Sequence, residues 1–249
     1  MTKEKEKVIE VSKEGKVGVI RFHAPPLNII TREFKDQLEE AVKWVEAARE
    51  LRVLIICNQG KYFGAGGDVN EMMETDYQVD KLEKIIQRVT DLPLPTIAAM
   101  DGGAYGGSFE IALACDMRIA RSGSILSFTE VNFGSFPGVG GTSRLIQLMG
   151  QAKAIEVMLM AYQWPAERWL EYGVLNAVAD IESAYEMAMR WAKQIESKPF
   201  SGPRAVKDAV SSYMRPRYEE FRGEQQRIME EVEGKSDIVN SSKEFLKKR

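Results

Sequence analysis

The stretch that decides the fold is Pro95-Thr-Ile-Ala-Ala-Met-Asp-Gly-Gly-Ala-Tyr-Gly-Gly107, an apolar strand that runs into a glycine-rich turn. It is followed at once by Ser-Phe-Glu110-Ile-Ala-Leu-Ala, which is typical of a short buried helix. An earlier stretch has the same design: Val53-Leu-Ile-Ile-Cys-Asn-Gln-Gly-Lys-Tyr-Phe-Gly-Ala-Gly-Gly-Asp68. Because strand–turn–helix units recur through the first part of the chain, the sequence predicts an α/β architecture.

Both glycine-rich turns suit a site where the backbone approaches a ligand closely. Gly107 is predicted at the N-terminal end of a helix, where amide groups lack intrahelical partners and the helix dipole adds partial positive charge. Amide groups of this kind stabilise negative charge that develops on a carbonyl oxygen. The turns therefore indicate chemistry on a carbonyl compound.

Two glutamates follow the second turn. Glu110 lies three residues after Gly107, and Glu130 lies twenty residues after Glu110, within the aromatic segment 127–138. Carboxyl groups beside such a site can position water and move protons. From the residues alone, other interpretations stay open. Glu110 is also typical of a first-turn residue whose negative charge interacts favourably with the positive end of the helix dipole. Glu130 also suits a solvated strand end or the cap of a local turn.

The composition is that of an ordinary globular protein. The 249 residues, 44% hydrophobic and 29% charged, fit one large domain or one domain with an appendage. A net charge of −3 gives no electrostatic case for nucleic acid or an anionic membrane as the main partner. No apolar run approaches the ~20 residues needed to span a bilayer. The start of the chain is charged and lacks an apolar signal region, so we predict a cytoplasmic protein.

Cysteine and histidine usage excludes several kinds of site. Cys57 and Cys115 lie far apart in apolar segments without CxxC spacing, so we predict two buried free thiols. His23 is the single histidine, which rules out a histidine-rich metal site, and we assign it a structural or surface role. No Walker A or GxGxxG pattern occurs. We therefore expect no metal site, and the sequence gives little support for nucleotide-dependent chemistry.

Hydrophobic periodicity and turn residues predict the order of elements. In chain order they are strands at 8–11 and 17–22, a helix capped by Thr31, a strand at 53–57, a helix at 80–90, a strand at 96–100, a helix at 107–114, strands at 117–120 and 125–128, and helices at 151–160, 166–172 and 183–196. The composition changes at 197–203. We predict a core over 1–196 and a charged helical segment over 197–249 that packs on the core or on a neighbouring subunit.

The motifs together resemble the enoyl-CoA hydratase/isomerase (crotonase) superfamily over nearly the whole chain. Phe63-Gly-Ala-Gly-Gly-Asp-Val69 is similar to the first family signature, and the resemblance implies that the amide of Ala65 forms half of an oxyanion hole. Asp101-Gly-Gly-Ala-Tyr-Gly-Gly-Ser-Phe-Glu110 is similar to the second signature, which assigns the other half to the amide of Gly107. The implied fold is a crotonase-like ββα superhelix with a C-terminal helical segment.

The resemblance also implies where the substrate binds. Pro26-Leu27-Asn resembles the early loop that lines the coenzyme A site. The coenzyme is expected to cross this loop and the turn at 65–68, with its adenine near Lys61 or Gly66. The implied binding residues are therefore Pro26, Leu27, Lys61, Ala65, Gly66, Gly67, Asp68 and Gly107. The segment 136–144 resembles the loop in which the amide of Gly138 holds the reactive water.

The presence of both acids distinguishes among the reactions that the family catalyses. Hydratases of the family carry glutamates at the places of Glu110 and Glu130, whereas isomerases typically keep only the later acid. The resemblance therefore implies an enoyl-CoA hydratase that uses coenzyme A only as part of its substrate, without a separate cofactor. Alternatives are an isomerase, or a hydratase for a cyclic, branched or polyketide acyl thioester. RNA binding, reported for some relatives, is disfavoured by the acidic balance.

The family further implies a homotrimer or homohexamer to which the C-terminal segment contributes contacts. Three departures stand out. Ser108 replaces the usual third glycine, Phe109 replaces a small residue, and Ile238-Val-Asn stands where Glu-Gly is usual before the last helix. Phe109 either reshapes the acyl pocket or points into the core.

Overall fold

The computed structural model describes residues 7–74, 79–233 and 236–248. Its strands are β1 (Ile9–Glu14), β2 (Val17–Phe22), β3 (Val53–Asn58), β4 (Tyr62–Gly64), β5 (Thr96–Met100), β6 (Gly103–Tyr105), β7 (Met117–Arg121), β8 (Ile125–Ser127), β9 (Trp164–Pro165) and β10 (Ala177–Ala179). Its helices are α1 (Arg32–Ala47), α2 (Val79–Asp91), α3 (Gly107–Ala114), α4 (Gly141–Met149), α5 (Gln151–Met160), α6 (Ala166–Glu171), α7 (Ala184–Glu196), α8 (Ser201–Glu233) and α9 (Ser236–Lys247). Short 3₁₀ turns cover Glu71–Met73 and Glu130–Phe133. No helix in these ranges is long and apolar enough to cross a membrane.

The larger sheet has six strands in the order β1-β2-β3-β5-β7-β10. β1 and β2 form an antiparallel hairpin, and the other pairs are parallel. Alternate residues of β3 face opposite sides: Leu54 and Ile56 join the main core, while Val53, Ile55 and Cys57 pack on the other face. Both faces are covered, which explains why the parallel strands read as continuous apolar runs.

Helix α7 covers the second face of this sheet. Its buried residues Ala184, Ala188 and Ala192 recur every four positions, and their small side chains let the helix lie close to the strands. The carboxylate of Asp101 accepts hydrogen bonds from the amides of Ala184 (2.7 Å) and Tyr185 (3.1 Å). Asp101 thereby satisfies two orphan donors at the helix start and ties α7 to the second glycine-rich turn.

The smaller sheet, in the order β4-β6-β8-β9, brings the two glycine-rich turns together. β4 and β6 pair in parallel, with Tyr62 opposite Gly103 and Gly64 opposite Ala104. Each strand runs directly into its turn, and parallel strands end at the same edge of a sheet. Turns that are 40 residues apart in the sequence therefore meet in space.

The departures from the family pattern at Ser108 and Phe109 have structural explanations. Phe109 is fully buried, stacks on Phe128 with ring centroids 5.0 Å apart, and meets Trp169 edge-on at 5.0 Å. It belongs to the core and does not line the active-site cavity. The Ser108 hydroxyl accepts a hydrogen bond from the amide of Gly66 at 3.2 Å, which ties the two turns together.

Most predicted elements are confirmed within one to three residues of their ends, and Thr31 caps α1 as predicted, its hydroxyl accepting from the amide of Phe34. The sequence did not predict α4 or the short strands β4, β6, β9 and β10. Cys57 and Cys115 are free and buried, as predicted. His23 is partly buried, with Nδ1 2.7 Å from Oε1 of Gln59.

The C-terminal segment is helical, as predicted, and is anchored on the core of its own chain. Lys207 of α8 is buried, donates to the carbonyl of Leu94 at 3.0 Å and pairs with Asp116 at 2.9 Å. Arg222 pairs with Glu83 of α2 at 2.8 Å. The contribution of this segment to an oligomer stays a prediction.

Candidate active site

A cavity of about 790 Å³ lies where the two glycine-rich turns meet. Its wall includes both turns, the 3₁₀ turn that begins at Glu130, and parts of the C-terminal helices. Glu110 and Glu130 both line this cavity. The glycine turns and the two acids, which the sequence singles out separately, therefore share one space.

Gly107 lines this space and is the first residue of α3. The amides of Phe109 and Glu110 both donate hydrogen bonds to the carbonyl of Gly106, at 2.8 and 3.1 Å. The Gly107 amide makes no hydrogen bond within the ranges that the structure describes. It is one of the orphan donors of a helix start and is available to a ligand oxygen.

A second available donor is the amide of Gly67 in the first turn. Ile30 pairs with the residues on either side of it: its amide donates to Gly66 (2.9 Å) and its carbonyl accepts from Asp68 (3.3 Å). The amide of Gly67 itself finds no acceptor in the described part of the chain, and Gly67 lines the cavity.

The expectation that Ala65 supplies half of the oxyanion hole does not agree with this geometry. The amide of Ala65 donates to the carbonyl of Leu27 at 2.9 Å, so this donor holds the early loop in place. Ala65 lines the cavity, but its N–H group is already used. Gly67, two residues later, is the better candidate for the second donor.

Glu110 is held by the main chain of the loop that precedes α4. Its Oε1 accepts hydrogen bonds from the amides of Val139 (3.0 Å) and Gly141 (2.7 Å). Oε2 has no hydrogen-bond partner among the residues described. Burial raises the pKa of Glu110 to about 7, although the two amides and the nearby Arg144 oppose the rise. Amide donors favour the ionised carboxylate, so this group can act as a base near neutral pH.

Glu130 has a different environment in the same cavity. A methyl group added to Gly106 would lie 3.1 Å from its Oε1, which places the carboxyl group against the second turn. Both carboxyl oxygens are buried and make no hydrogen bond to any part of the chain that is described. Burial and, second, the charge of Glu110 raise the pKa of Glu130 well above its usual range. The raised pKa favours the protonated form of Glu130, and a protonated carboxyl group in this place can act as an acid.

Gly138 lies in the cavity wall, as expected, beneath the long C-terminal helix. Its carbonyl accepts a hydrogen bond from the side chain of Gln225. A methyl group added to Gly138 would lie 1.6 Å from Cε of Met229, so the end of the Met229 side chain would have to move. The prediction that the Gly138 amide holds the reactive water stays a prediction.

The residues predicted to bind coenzyme A fall into two groups. Leu27, Ala65, Gly66, Gly67, Asp68 and Gly107 line the cavity. Pro26 and Lys61 are exposed and lie outside its wall, so the cavity does not include them. Among the described residues, no group of His, Cys, Asp and Glu side chains is placed to hold a metal ion.

Asn28 is a supporting residue whose role the sequence did not predict. It is fully buried, with φ of 47°, a conformation that asparagine tolerates better than most residues. Its Oδ1 accepts from the amide of Ala24 (2.7 Å), and its Nδ2 donates to the carbonyls of Gln59 (3.0 Å) and Tyr62 (2.7 Å). Asn28 fixes the early loop against the first glycine turn.

The C-terminal helices close the cavity with apolar side chains. Met229 of α8 and Ile238, Phe245 and Leu246 of α9 line it. Phe245 also contacts Phe133 edge-on, with ring centroids 5.4 Å apart. The sequence predicted packing on the core or on a neighbour, and the described residues show this segment against the site of its own chain.

Comparison with known proteins identifies the class to which this fold and site belong. The model of the enoyl-CoA hydratase/isomerase family matches residues 12–249, and the chain belongs to that family. The predicted superfamily and the predicted fold are thereby confirmed.

Individual relatives agree with this assignment. The chain is 32% identical over 211 residues to a short-chain-enoyl-CoA hydratase of Clostridium acetobutylicum, which covers 82% of this chain and 81% of that protein. It is 30% identical to an enoyl-CoA hydratase structure from Geobacillus kaustophilus, with a TM-score of 0.78 and coverage of 97% and 96%. An enoyl-CoA hydratase structure from Mycobacterium avium subsp. paratuberculosis has a TM-score of 0.88 at 20% identity, with coverage of 97% and 96%, and shows the shared fold.

Proposed function

We propose that this protein is an enoyl-CoA hydratase, which adds water reversibly across the α,β double bond of an acyl-CoA thioester. The observation that carries the proposal is the pair of buried carboxyl groups, Glu110 and Glu130, in one cavity with different surroundings. The relatives named as hydratases support it.

In the proposed reaction the thioester oxygen accepts hydrogen bonds from the amides of Gly67 and Gly107. Attack of water on the β carbon moves electrons through the double bond to that oxygen, and the two donors stabilise the resulting enolate. Removal of one such donor costs about 3–4 kcal/mol in comparable acyl-transfer sites. These donors are fixed by the backbone, so they need no reorganisation as the charge develops.

The two acids divide the proton transfers. Oε2 of Glu110 takes a proton from the attacking water, whose oxygen forms the new bond to the β carbon. Glu130 gives its proton to the α carbon as the enolate collapses. One water is added in total, and a proton transfer between the two carboxyl groups restores the starting state. General acid–base catalysis of this kind contributes about 10²–10⁴-fold.

The rival reaction within the family is isomerisation of the double bond, which moves a proton from one carbon to another and needs no water. A single carboxyl group is sufficient for that shuttle. The second acid, Glu110, is held by two amides and faces the same cavity, which favours hydration.

The test is incubation of the protein with crotonyl-CoA while the absorbance of the conjugated enone is followed. We expect loss of this absorbance and formation of 3-hydroxybutyryl-CoA. Isomerisation of a 3-enoyl-CoA without any hydration of crotonyl-CoA or a longer 2-enoyl-CoA would contradict the proposal.

Other features remain predictions that rest on the family resemblance. They are the path of coenzyme A along Leu27 and the turn at 65–68, a homotrimer or homohexamer, and a cytoplasmic location. Sedimentation analysis of the full chain measures the second directly.

A further inference from the structure

A buried cation, Arg144, lies beside the loop that holds the carboxylate of Glu110. Arg144 belongs to the first turn of α4, where its amide donates to the carbonyl of Gly140 at 3.2 Å. Only 7% of the residue is exposed. Burial disfavours a charged group, and the N-terminal end of a helix favours negative rather than positive charge. The fold therefore tolerates a destabilising charge at this position, which a leucine or a methionine would avoid.

The guanidinium group of Arg144 is held by three parts of the fold. Its Nη2 donates to the hydroxyl of Thr90, on α2, at 2.9 Å, and its Nη1 donates to the carbonyl of Val139 at 3.5 Å. The group also lies over the ring of Tyr218, on α8, with Cζ 4.7 Å from the ring centroid. Within the described ranges, none of these contacts is to a carboxylate. The guanidinium group is thus fixed in place without an ion-pair partner in contact.

The loop before α4 connects Arg144 to Glu110. Val139 contacts both residues: its amide donates to Oε1 of Glu110 at 3.0 Å, and its carbonyl accepts from Arg144. The next two residues repeat this arrangement. A methyl group added to Gly140 would overlap Nη1 of Arg144, and one added to Gly141 would lie 2.6 Å from Oε1 of Glu110. The guanidinium group and the carboxylate therefore pack on neighbouring residues of one short loop.

The charges around Glu110 oppose one another. Burial is the largest cause of its raised pKa, and two main-chain amides and the charge of Arg144 act against the rise. The charge of Glu83, on α2, adds to the rise, although Glu83 pairs with Arg222 at 2.8 Å. Glu130 lines the same cavity, and the charge of Glu110 raises its pKa in turn. Arg144 therefore supplies a positive charge that favours the ionised form of Glu110.

The position of Arg144 suits an indirect role in the reaction. Arg144 does not line the cavity, and neither do Thr90 and Tyr218, which hold it. The guanidinium group therefore acts on Glu110 through the loop and through its charge, and it does not touch the substrate. A buried carboxyl group needs such support, because burial favours its neutral form and a base has to be ionised.

We propose that Arg144 is a positioning residue for the base: its guanidinium group fixes the loop 139–141 and keeps the carboxylate of Glu110 ionised and in place. This inference rests on the proposed function for the role of Glu110. It extends that function by adding a residue outside the cavity on which the reaction depends.

The test is titration of Glu110 in the ligand-free protein, which needs no turnover. Carbon-13 label in the glutamate carboxyl groups is followed by nuclear magnetic resonance, and Glu110→Gln identifies the signal. Arg144→Met removes the charge and both hydrogen bonds, so we expect the pKa of Glu110 to rise from about 7 by about 1. The acid limb of the pH profile of kcat/KM for crotonyl-CoA should move equally, which lowers kcat/KM about fivefold at pH 7.

Further variants separate this role from a purely structural one. Arg144→Lys keeps the charge, so it should hold the pKa of Glu110 near the wild-type value and rescue the acid limb. Lys207→Met removes a buried cation of α8 that pairs with Asp116 at 2.9 Å and contacts neither acid. It should lower stability without changing the pKa of Glu110. Arg144→Gln, uncharged but able to donate a hydrogen bond, takes the place of Arg144→Met if circular dichroism and thermal unfolding show that the methionine variant is unfolded.

Two outcomes would overturn the proposal. One is a folded Arg144→Met or Arg144→Gln in which Glu110 titrates as in the wild type. The other is an equal rise of the pKa of Glu110 in Lys207→Met, because the rise would then follow from lost stability alone. Failure of the proposed function looks different. In that case the wild type hydrates no 2-enoyl-CoA, while the titration of Glu110 still measures the effect of Arg144.

Discussion

Glu110 and Glu130 are the same residue type in the same cavity, and their surroundings differ. Glu110 accepts two main-chain hydrogen bonds on one oxygen, whereas both oxygens of Glu130 are buried without a donor from the described chain. The pKa of Glu110 is raised to about 7 by burial, and that of Glu130 is raised well above its usual range by burial and by the charge of Glu110. These different surroundings support the proposed roles of Glu110 as base and Glu130 as acid, which the residue type alone does not distinguish.

The largest effect should come from removing the acid. Glu130→Gln keeps the shape of a neutral side chain but has no proton to give to the α carbon. We expect kcat for hydration of crotonyl-CoA to fall by about 10²–10⁴-fold, with binding of saturated acyl-CoA nearly unchanged. Stopped-flow and calorimetric measurements separate the two quantities. A variant that keeps most of its turnover would remove Glu130 from the chemistry.

The raised pKa of Glu110 should also appear in stability. The folded state holds this proton up to about pH 7, whereas the unfolded chain loses it near 4.5, so the folded state binds more protons in between. The free energy of unfolding should therefore fall as the pH rises through this window, by roughly 3 kcal/mol from this group. Urea unfolding of wild type and Glu110→Gln at several pH values measures the difference.

The comparison of wild type with Glu110→Gln controls for the other groups that titrate in this pH range. Carboxylates with lowered pKa, such as Glu167 and Glu186, lose their contribution to stability as the pH falls, and they do so equally in both proteins. The difference between the curves should decrease between pH 4.5 and 7. A difference that stays flat would contradict a raised pKa for Glu110.

A smaller effect should follow from disturbing the amide that holds the base. In Gly141→Ala the new methyl carbon would lie 2.6 Å from Oε1 of Glu110, so the carboxylate has to move away from its donor. We expect kcat to fall by about tenfold, the value of one hydrogen bond to a charged group. Gly223→Ala on α8 is the matched control, because nothing lies within 4 Å of its added carbon. It should leave kcat unchanged and stabilise the helix by about 0.5–1 kcal/mol.

The sequence predicted the parts of the site that follow one another along the chain. The glycine turns, Glu110 and Glu130 are local patterns. The sequence did not predict strands β4 and β6, whose parallel pairing brings the two turns together. The choice between Ala65 and Gly67 as a donor could not be predicted, because it depends on a hydrogen bond to Leu27 from a distant loop.

The same limit applies to other functional residues. The amides of Val139 and Gly141 donate to Glu110 although about thirty residues of sequence separate them from it. Nearly every residue type has a main-chain donor, so the sequence does not show which amides make such a bond. The position of Lys35 on α1 does not reveal that this residue is buried and lines the cavity, since a lysine on a helix usually indicates a solvated face. Closure of the cavity by α8 and α9 depends on tertiary packing of a charged segment that could equally contact a neighbour.

The central claim is that the two carboxyl groups occupy opposite protonation states in one cavity, and infrared difference spectroscopy measures this directly. At about pH 8, above the pKa of Glu110, the wild type should show the C=O stretch of one buried protonated carboxyl group. The band should vanish in Glu130→Gln and persist in Glu110→Gln. A wild type without the band, or a band lost in Glu110→Gln and retained in Glu130→Gln, would contradict the account.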